Sequence, residues 1–138
     1  MIDSFRGEYY FLSNFYESKV TYEGVTYLNN EAAFQSIKTL DMEERKSFAS
    51  LDPTAAKKAG RKVSLRKDWE NIKINVMYEI CKAKFTQNEE LKEKLLATGD
   101  EELVEGNNWN DRIWGKVNGV GANNLGKILM RIREELRQ

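Results

Sequence analysis

The sequence predicts an α+β fold that is mainly helical, with a small antiparallel β element near its N-terminus. Valine and tyrosine alternate with other residues between Val20 and Tyr27, on both sides of Glu23-Gly24, a pattern typical of a β-hairpin. Most later segments instead repeat apolar residues at helical spacing. With 138 residues, 41% of them apolar, the chain is long enough for one sizeable core, so we expect a single domain over residues 1–138.

Capping residues and apolar periodicity predict where the helices begin and end. Asn29 and Asn30 are suitable caps for the first helix, while Asp52-Pro53 combines a cap with a proline at the first helical position. Asp68 opens the longest pattern, in which Trp69 and later apolar residues form the predicted central core helix. The predicted helices cover residues 31–40, 53–60, 68–85, 89–98 and 125–136.

The composition excludes several classes of function. The 22 basic and 22 acidic residues leave no net charge, so no overall field draws the protein to nucleic acid or to an anionic membrane. The chain has no histidine and a single cysteine, which excludes an internal disulfide, a cysteine-cluster metal site and histidine-dependent nucleophile pairs. Catalysis would therefore depend on Asp, Glu, Lys or Tyr.

The chain shows no sign of export or of membrane insertion. The segment MIDSFRGEYYFLSNFY has neither a basic opening nor an uninterrupted apolar run, so no signal peptide is predicted. Nowhere is there an apolar run long enough to cross a bilayer. With the single cysteine, these observations predict a cytoplasmic protein without a membrane partner, and they leave its oligomeric state open.

Glu31 is the first candidate for catalysis. At about 100° per residue, Glu31, Gln35 and Lys38 share one face of the first predicted helix. Phe34 and Ile37 point elsewhere and can enter the core. A carboxylate at a helix start is favoured in its ionised form, so Glu31 suits a base, a nucleophile or a group that stabilises positive charge. The alternative is that Glu31 only complements the helix dipole on a solvated face.

Two tryptophans flank an aspartate in the predicted loop NWNDRIWG, residues 108–115. Asp111 stands two residues from Trp109 and three from Trp114. Aromatic rings in a pocket can stack on a planar base, and apolar surroundings help an aspartate to act as an acid. Asp111 could therefore share a pocket with at least one of the two indole rings. Alternatively, a tryptophan anchors the loop and Asp111 caps a turn.

Two further segments could bind phosphate. KKAGRKVSLRK, residues 57–67, has six basic residues and no acidic one, and Gly60 permits close backbone approach. A solvated basic face is the alternative for this segment. GVGANNLGK, residues 119–127, resembles a phosphate-cradling turn only weakly, because it lacks the strand and the spacing of the known loops. Asn123 and Asn124 acting as helix caps explain it equally well.

A series of motifs occurs in the order typical of one protein family. They are FLSNFY (11–16), EAAFQSIK (31–38), Gly60-Arg61, Trp69, Lys84-Phe85, LLATG (95–99), LVE (103–105), Asp111 with Trp114-Gly115, and GANNLGKILMRIR (121–133). Through these motifs, from about Phe11 to near the C-terminus, the chain resembles the YbiA/NADAR family. The resemblance implies a single YbiA-like domain that needs no metal and no organic cofactor.

The resemblance implies that the protein is an N-glycosidase. Members of the family cleave the bond between ribose and an amino-bearing pyrimidine in early riboflavin intermediates that carry a 5′-phosphate. Related members remove ADP-ribose from guanine bases. The implied partner is therefore a nucleotide-like small molecule or an ADP-ribosylated guanine in nucleic acid. One alternative is a module that binds a nucleotide, ADP-ribose or a modified base without hydrolysing it. The other is an interaction protein whose tryptophan loop and polar faces form a partner surface.

The resemblance also implies a set of site residues that would line one cavity. They are Glu31 and Asp111 as catalytic carboxylates, with Asn14, Lys38, Arg61, Trp69 and Trp114 as substrate-binding residues. In a hydrolysis that passes through a cationic sugar, Glu31 would stabilise the sugar and Asp111 would protonate or hydrogen-bond the leaving amine. The tryptophans would stack on or wall the base, and the two cations would hold phosphate oxygens. For Trp69, a place in the core is the alternative.

Two positions depart from the family pattern. Ala32 stands where the family often has histidine, and Glu17 stands where it has proline after the first aromatic motif. Neither change removes a candidate carboxylate. The missing histidine leaves the substrate preference and the pH optimum open.

Overall fold

The computed structural model describes all 138 residues, and the chain forms two compact units. The central unit is Asn14–Gln87, and the terminal unit combines Met1–Ser13 with Asn88–Gln138. The elements of the central unit are β1 (Glu17–Tyr22), β2 (Val25–Asn29), α1 (Asn30–Ser36), α2 (Met42–Ser47), α3 (Pro53–Ala59) and α4 (Trp69–Gln87). Those of the terminal unit are a 3-10 helix (Gly7–Leu12), α5 (Glu89–Ala97) and α6 (Asn124–Leu136). The fold is α+β and mainly helical, with one two-stranded sheet, as the sequence predicts.

The β-hairpin forms where the alternating pattern predicts it. Glu23 and Gly24 both have positive φ, 47° and 84°, which is the backbone of the two-residue turn that matches the twist of paired strands. Val20 pairs with Tyr27 across the antiparallel ladder, and both side chains are completely buried. The hairpin therefore presents one apolar face to the central unit.

Helix α1 begins as predicted but ends earlier. The side chain of Asn29 accepts a hydrogen bond from the backbone N–H of Ala32 and so caps the first turn. The predicted helix over residues 31–40 was too long, because α1 ends at Ser36. The hydroxyl of Ser36 bonds both to the Ala33 carbonyl (2.7 Å) and to the Tyr27 hydroxyl (2.8 Å), which competes with a further helical turn.

Helix α2 and the 3-10 helix were not predicted, because neither has an apolar repeat. The sequence does hold one signal for α2. Asp41 precedes the helix, and one of its carboxylate oxygens accepts the backbone N–H groups of Glu43 and Glu44. An acidic cap with glutamate three residues later is the pattern that marks a helix start.

Helices α3 and α4 agree closely with the prediction. Asp52 accepts the N–H of Ala55 at 2.8 Å, and α3 ends at Ala59 with Gly60 as its C-cap. Helix α4 starts one residue after Asp68, whose carboxylate pairs with Arg66 instead of capping the helix. The buried residues of α4 include the predicted core positions Trp69, Val76, Met77 and Ile80. None of the helices in the structure is both long enough and apolar enough to span a bilayer.

The terminal unit is built on the packing of α5 and α6. Leu91 and Leu95 of α5 are buried, and so are four apolar residues of α6, Leu125, Ile128, Leu129 and Ile132. Asn123 stands at the start of α6 with φ 53°, but its side chain does not cap that helix. It accepts the N–H of Glu105 and donates to the carbonyl of Leu103, so it ties the preceding segment to the helix start.

Replacing Asn29 tests the anchor of α1. Asn29→Ala removes the cap and also the bond from the Asn29 amide to the Leu51 carbonyl at 3.1 Å, and the residue is only 1% exposed. We expect a loss of about 1–3 kcal/mol in the free energy of unfolding, measured by urea denaturation. Asn29→Ser keeps a capping oxygen and should lose less. Equal stability of the alanine variant and the wild type would contradict this account.

Candidate active site

Glu31 is the one residue of α1 that is not buried. The other six residues of the helix, from Asn30 through Ser36, all lie in the interior. The sequence allowed Glu31 to be a common helix-start glutamate on a solvated face. The structure shows instead a single accessible carboxylate on an otherwise enclosed helix. A charged group in that position can meet a ligand from solvent while its backbone is fixed from all sides.

The carboxylate of Glu31 is held by its own helix. The side-chain amide of Gln35, one turn later, donates to Glu31 Oε2 at 2.6 Å. Gln35 is 6% exposed, so this donor belongs to the interior. The backbone N–H of Glu31 donates to the Asn14 carbonyl at 3.0 Å, which fixes the start of the helix. Buried neighbours therefore orient both the backbone and the side-chain carboxylate of Glu31.

Asn14 supports α1 from the segment before the hairpin. It is 8% exposed, and its side-chain oxygen accepts the amide of Asn30 at 3.3 Å. Its own amide lies 3.4 Å from the sulfur of Met77 on α4. Asn14 was predicted to line the substrate pocket. The contacts that the structure gives it are with the protein itself, and they position the first turn of α1.

A local group of cations lies near Glu31. Lys38 is half-buried, and burial lowers the pKa of its ammonium group, an effect that the charge of Glu31 opposes. The positive charges of Arg61 and Lys73 lower the pKa of Lys38 further. Glu31, Arg61 and Lys73 therefore lie close enough to Lys38 for their charges to act on it. Lys38 thus feels the charge of Glu31 and also that of Arg61, although the chain has no net charge.

Trp69 lies against the same helix from the start of α4. Its ring centroid is 5.0 Å from that of Phe34, and the ring planes are tilted by 55°. Trp69 is 5% exposed, so most of its indole packs within the protein. The sequence left open whether this tryptophan contacts a ligand or fills the core. The structure favours a ring that closes off the interior beside α1.

The loop of residues 108–115 is held in place by its own polar groups. Asp111 Oδ1 accepts the backbone N–H groups of Ile113 (3.0 Å) and Trp114 (2.9 Å). The side chain of Asn107 accepts the N–H of Asp111 and donates to its carbonyl. Asp111 therefore caps a turn through one oxygen, which is the structural alternative that the sequence left open. Its second oxygen is the one that could meet a ligand.

The two tryptophans of this loop differ in exposure. Trp109 is 48% exposed, and the guanidinium carbon of Arg6 lies 5.6 Å from its ring centroid. Trp114 is half-buried, and its carbonyl accepts the N–H of Leu125 in the first turn of α6 at 3.0 Å. The carbonyl of Ile113 accepts the preceding N–H, that of Asn124, at 3.2 Å. These helix-start donors are engaged by the loop, so the glycine-rich segment 119–127 is not a phosphate cradle.

An open cavity of about 560 Å³ lies beside the basic segment. Residues 39–41 and 64–68 line it, and neither Glu31 nor Arg61 does. Arg66, which lies in this lining, already pairs with Asp68 at 2.7 Å. The side chains around Glu31, and not this cavity, therefore define the candidate site. Of the basic segment, Arg61 is the residue that the structure links to Glu31 through Lys38.

Lys84 is a lysine completely enclosed in the protein, on α4. It is 1% exposed, and its nitrogen lies 5.5 Å from the Tyr16 ring centroid and 5.2 Å from that of Phe85. Burial lowers the pKa of Lys84 to about 8. An electrostatic interaction with Cys81 opposes this shift. The rings stabilise the charged form in part, since a cation over an aromatic face is attracted to it.

Three residues of this region were not singled out as site residues from the sequence. Gln35 was placed on the face of Glu31 but given no role, and Gly60 was noted only for close backbone approach. Lys73 pairs with Glu70 at 2.7 Å and adds its charge beside Lys38. Helical spacing was the available signal for Lys73, because it lies one turn after Trp69 on α4.

Comparison with known proteins supports an assignment to a family. The NADAR domain profile matches residues 3–137. N-glycosidase YbiA of Escherichia coli is 41% identical over 128 residues, which cover 90% of this chain and 79% of YbiA. A riboflavin biosynthesis protein of Vibrio vulnificus is 39% identical over 132 residues, covering 93% of this chain and 36% of that protein. The NMR structure of Escherichia coli YbiA matches with a TM-score of 0.85 at 37% identity, covering 99% of this chain and 87% of that one.

These matches define the class of protein. The chain belongs to the NADAR domain family, which confirms the resemblance seen in the ordered motifs. The mainly helical fold with its small antiparallel hairpin is the fold of the YbiA structure.

The enclosed lysine predicts a pH dependence of stability. The pKa of Lys84 is about 8 in the folded protein and 10.5 in an exposed lysine, so the unfolded chain holds more protons between these values. Stability should therefore rise as the pH increases from about 8 to about 10.5, by a contribution on the order of 1–3 kcal/mol. Urea unfolding at several pH values measures it.

The matched variants are Lys84→Met, which keeps the length of the side chain, and Lys46→Met at an exposed position. The first should lose the rise in stability, and the second should keep it. An identical pH profile for the wild type and Lys84→Met would show that the lysine is not the source.

Proposed function

We propose that this protein is an N-glycosidase that hydrolyses the N-ribosyl bond between a phosphorylated ribose, or ADP-ribose, and an amino-bearing pyrimidine or guanine base. Relatives named N-glycosidase YbiA, 41% identical over most of the chain, support the reaction type. The observation that carries the proposal is Glu31, the single accessible residue of an enclosed helix, with cations beside it. The two kinds of substrate follow from the family resemblance.

Glu31 acts on the sugar. As the bond from the ribose carbon to the base nitrogen breaks, positive charge develops on the ring carbon and oxygen. An ionised carboxylate fixed beside that ring lowers the barrier, because its position is set before the charge appears. The same carboxylate orients the attacking water. The carbon–nitrogen bond breaks with its electron pair going to nitrogen, and the water oxygen joins the sugar carbon. One water proton is transferred in net to the leaving nitrogen, so the base departs as the free amine.

Lys38 and Arg61 hold the phosphate end of the substrate. Both are cations of the central unit, and the charge of Arg61 acts on Lys38. The charge of Lys73 also acts on Lys38, but Lys73 is paired with Glu70. Phosphate oxygens between such groups form charge-assisted hydrogen bonds, and the planar guanidinium of Arg61 can make two in parallel. A bound dianion would also relieve the repulsion among these cations. Binding energy at the phosphate then helps to place the sugar against Glu31.

The assignments of Asp111, Trp69 and Trp114 rest on the family resemblance. Asp111 would act on the leaving amine through the oxygen that does not cap its turn. Trp114, which is half-buried, has ring surface that a base can stack on. Trp69 would wall the site beside α1, since its buried ring offers little face for stacking.

The most informative experiment offers the purified protein both kinds of substrate. Release of ribose 5-phosphate and of ADP-ribose is followed by mass spectrometry, with Glu31→Gln alongside. The proposal expects one of these products from the wild type and not from the variant. Nucleotides that raise the melting temperature without any product would instead identify a binding module, and the enzyme proposal would be wrong.

Glu31→Gln keeps the shape of the side chain and removes its charge. We expect kcat to fall by roughly 100- to 1000-fold, because the stabilisation acts on the transition state. Substrate binding should persist in isothermal titration. Glu43→Gln is the matched control, since Glu43 is also a first-turn glutamate but lies on the exposed helix α2. Turnover of Glu31→Gln near that of the control would remove Glu31 from the mechanism.

Reversing the charge of Arg61 tests the phosphate assignment. Arg61→Glu should weaken the binding of a phosphorylated substrate by about 10-fold or more and leave its dephosphorylated form little changed. Lys46→Glu makes the same change at an exposed position of α2 and should affect neither. The assignment fails if Arg61→Glu weakens both forms of the substrate equally.

A further inference from the structure

The buried amide of Gln35 has only one way to face Glu31. Its nitrogen donates to Glu31 Oε2 at 2.6 Å, and an ionised carboxylate can only accept hydrogen bonds. The amide oxygen of Gln35 must therefore point away from Glu31. In the structure that oxygen is buried and has no hydrogen-bond partner. Leaving an acceptor unpaired is unfavourable, and leucine or methionine would fill the same space without that penalty.

Gly60 provides the space for this amide. A Cβ atom at position 60 would lie 2.0 Å from Gln35 Oε1 and 2.7 Å from its Cδ. Gly60 has φ −61° and ψ −19°, an ordinary helical conformation that any residue adopts. The backbone therefore does not require glycine here. Glycine leaves room for the amide end of the Gln35 side chain, which would have to shift to admit a larger residue.

We propose that Gln35, seated against Gly60, is a positioning residue that fixes the orientation of the Glu31 carboxylate and favours its charged form. The inference rests on the catalytic role proposed for Glu31. Gln35 is enclosed and acts through Glu31, not on the substrate. The unpaired oxygen is explained by this arrangement, since it is the consequence of presenting the amide nitrogen to the carboxylate.

Two variants of Gln35 distinguish a role in orienting the Glu31 carboxylate from a role in filling space. Gln35→Leu preserves the bulk and removes the donor, and we expect kcat to fall roughly 10- to 100-fold with little change in KM. The acid limb of the pH profile of kcat/KM should move to higher pH, because the charged carboxylate loses a donor. Gln35→Glu places a second carboxyl group in the same shape and should move that limb further.

Ser36→Ala is the control for damage to α1. It removes the buried bond to the Tyr27 hydroxyl but has no contact with Glu31. The variant should be less stable than the wild type, but the acid limb of its pH profile of kcat/KM should stay at the wild-type pH. If Ser36→Ala shifts the limb as Gln35→Leu does, the effect is general loosening of the helix and the proposal is wrong. It is equally wrong if Gln35→Leu has the wild-type kcat and limb.

Gly60→Ala independently tests the contact between Gly60 and the Gln35 amide. The added methyl should displace Gln35 and reproduce the lower kcat and the shifted limb in a protein that remains folded by circular dichroism. If Gly60→Ala does not fold, the Gln35 variants decide alone. Failure here differs from failure of the enzyme proposal. An inactive Glu31→Gln beside a normal Gln35→Leu overturns only the positioning role, whereas an active Glu31→Gln overturns the catalytic role itself.

Discussion

A seven-residue helix cannot persist by itself in water, so α1 exists because its surroundings enclose it. Its first turn is capped by Asn29 and held by Asn14, and its last turn is tied to the hairpin through Ser36. Each bond uses a buried polar group that would be unfavourable if left unpaired. The helix is thereby fixed in register, and Glu31 is the one residue that it leaves accessible.

Because the helix is fixed in this register, a single carboxylate can stabilise a positive charge that develops on a substrate. A carboxylate on a mobile surface side chain would reorient as charge develops on a substrate, and the gain would be small. Glu31 starts from a determined position, because its backbone bonds to Asn14 and its side chain bonds to Gln35. The neighbouring cations Lys38 and Arg61 add a local positive field in a chain with no net charge. Binding of an anionic end and stabilisation of a cationic centre can therefore occur side by side.

Local patterns predicted the parts of the fold that local energetics decide. The turn at Glu23-Gly24 and the cap at Asp52 with Pro53 have conformational preferences that act whatever surrounds them. The end of α1 and the existence of α2 were not predicted correctly. The end of α1 depends on a contact from another segment, the bond of Ser36 to Tyr27. The signal for α2 is its local cap at Asp41, which apolar periodicity does not contain.

The candidate site shows the same division. The face shared by Glu31 and Gln35 follows from helical spacing, and Gln35 bonds to Glu31 in the structure. Lys38, predicted on the same helix face, lies beyond the end of α1. The enclosure of Lys84 could not be predicted, because a lysine at helical spacing carries no sign of its burial. The fit of Gln35 against Gly60 could not be predicted either, because the two residues are distant in the sequence. The roles of Asp111 and Trp114 stay predictions, carried by the resemblance.

The central claim is that Gln35 sets the charge state and orientation of Glu31. Carbon-13 NMR of the glutamate side-chain carboxyl groups, recorded as a function of pH, measures it without substrate. The signal of Glu31, assigned through its loss in Glu31→Gln, should titrate at a higher pH in Gln35→Leu than in the wild type, while that of Glu43 stays unchanged. Superimposable Glu31 titrations in the two proteins would contradict the account.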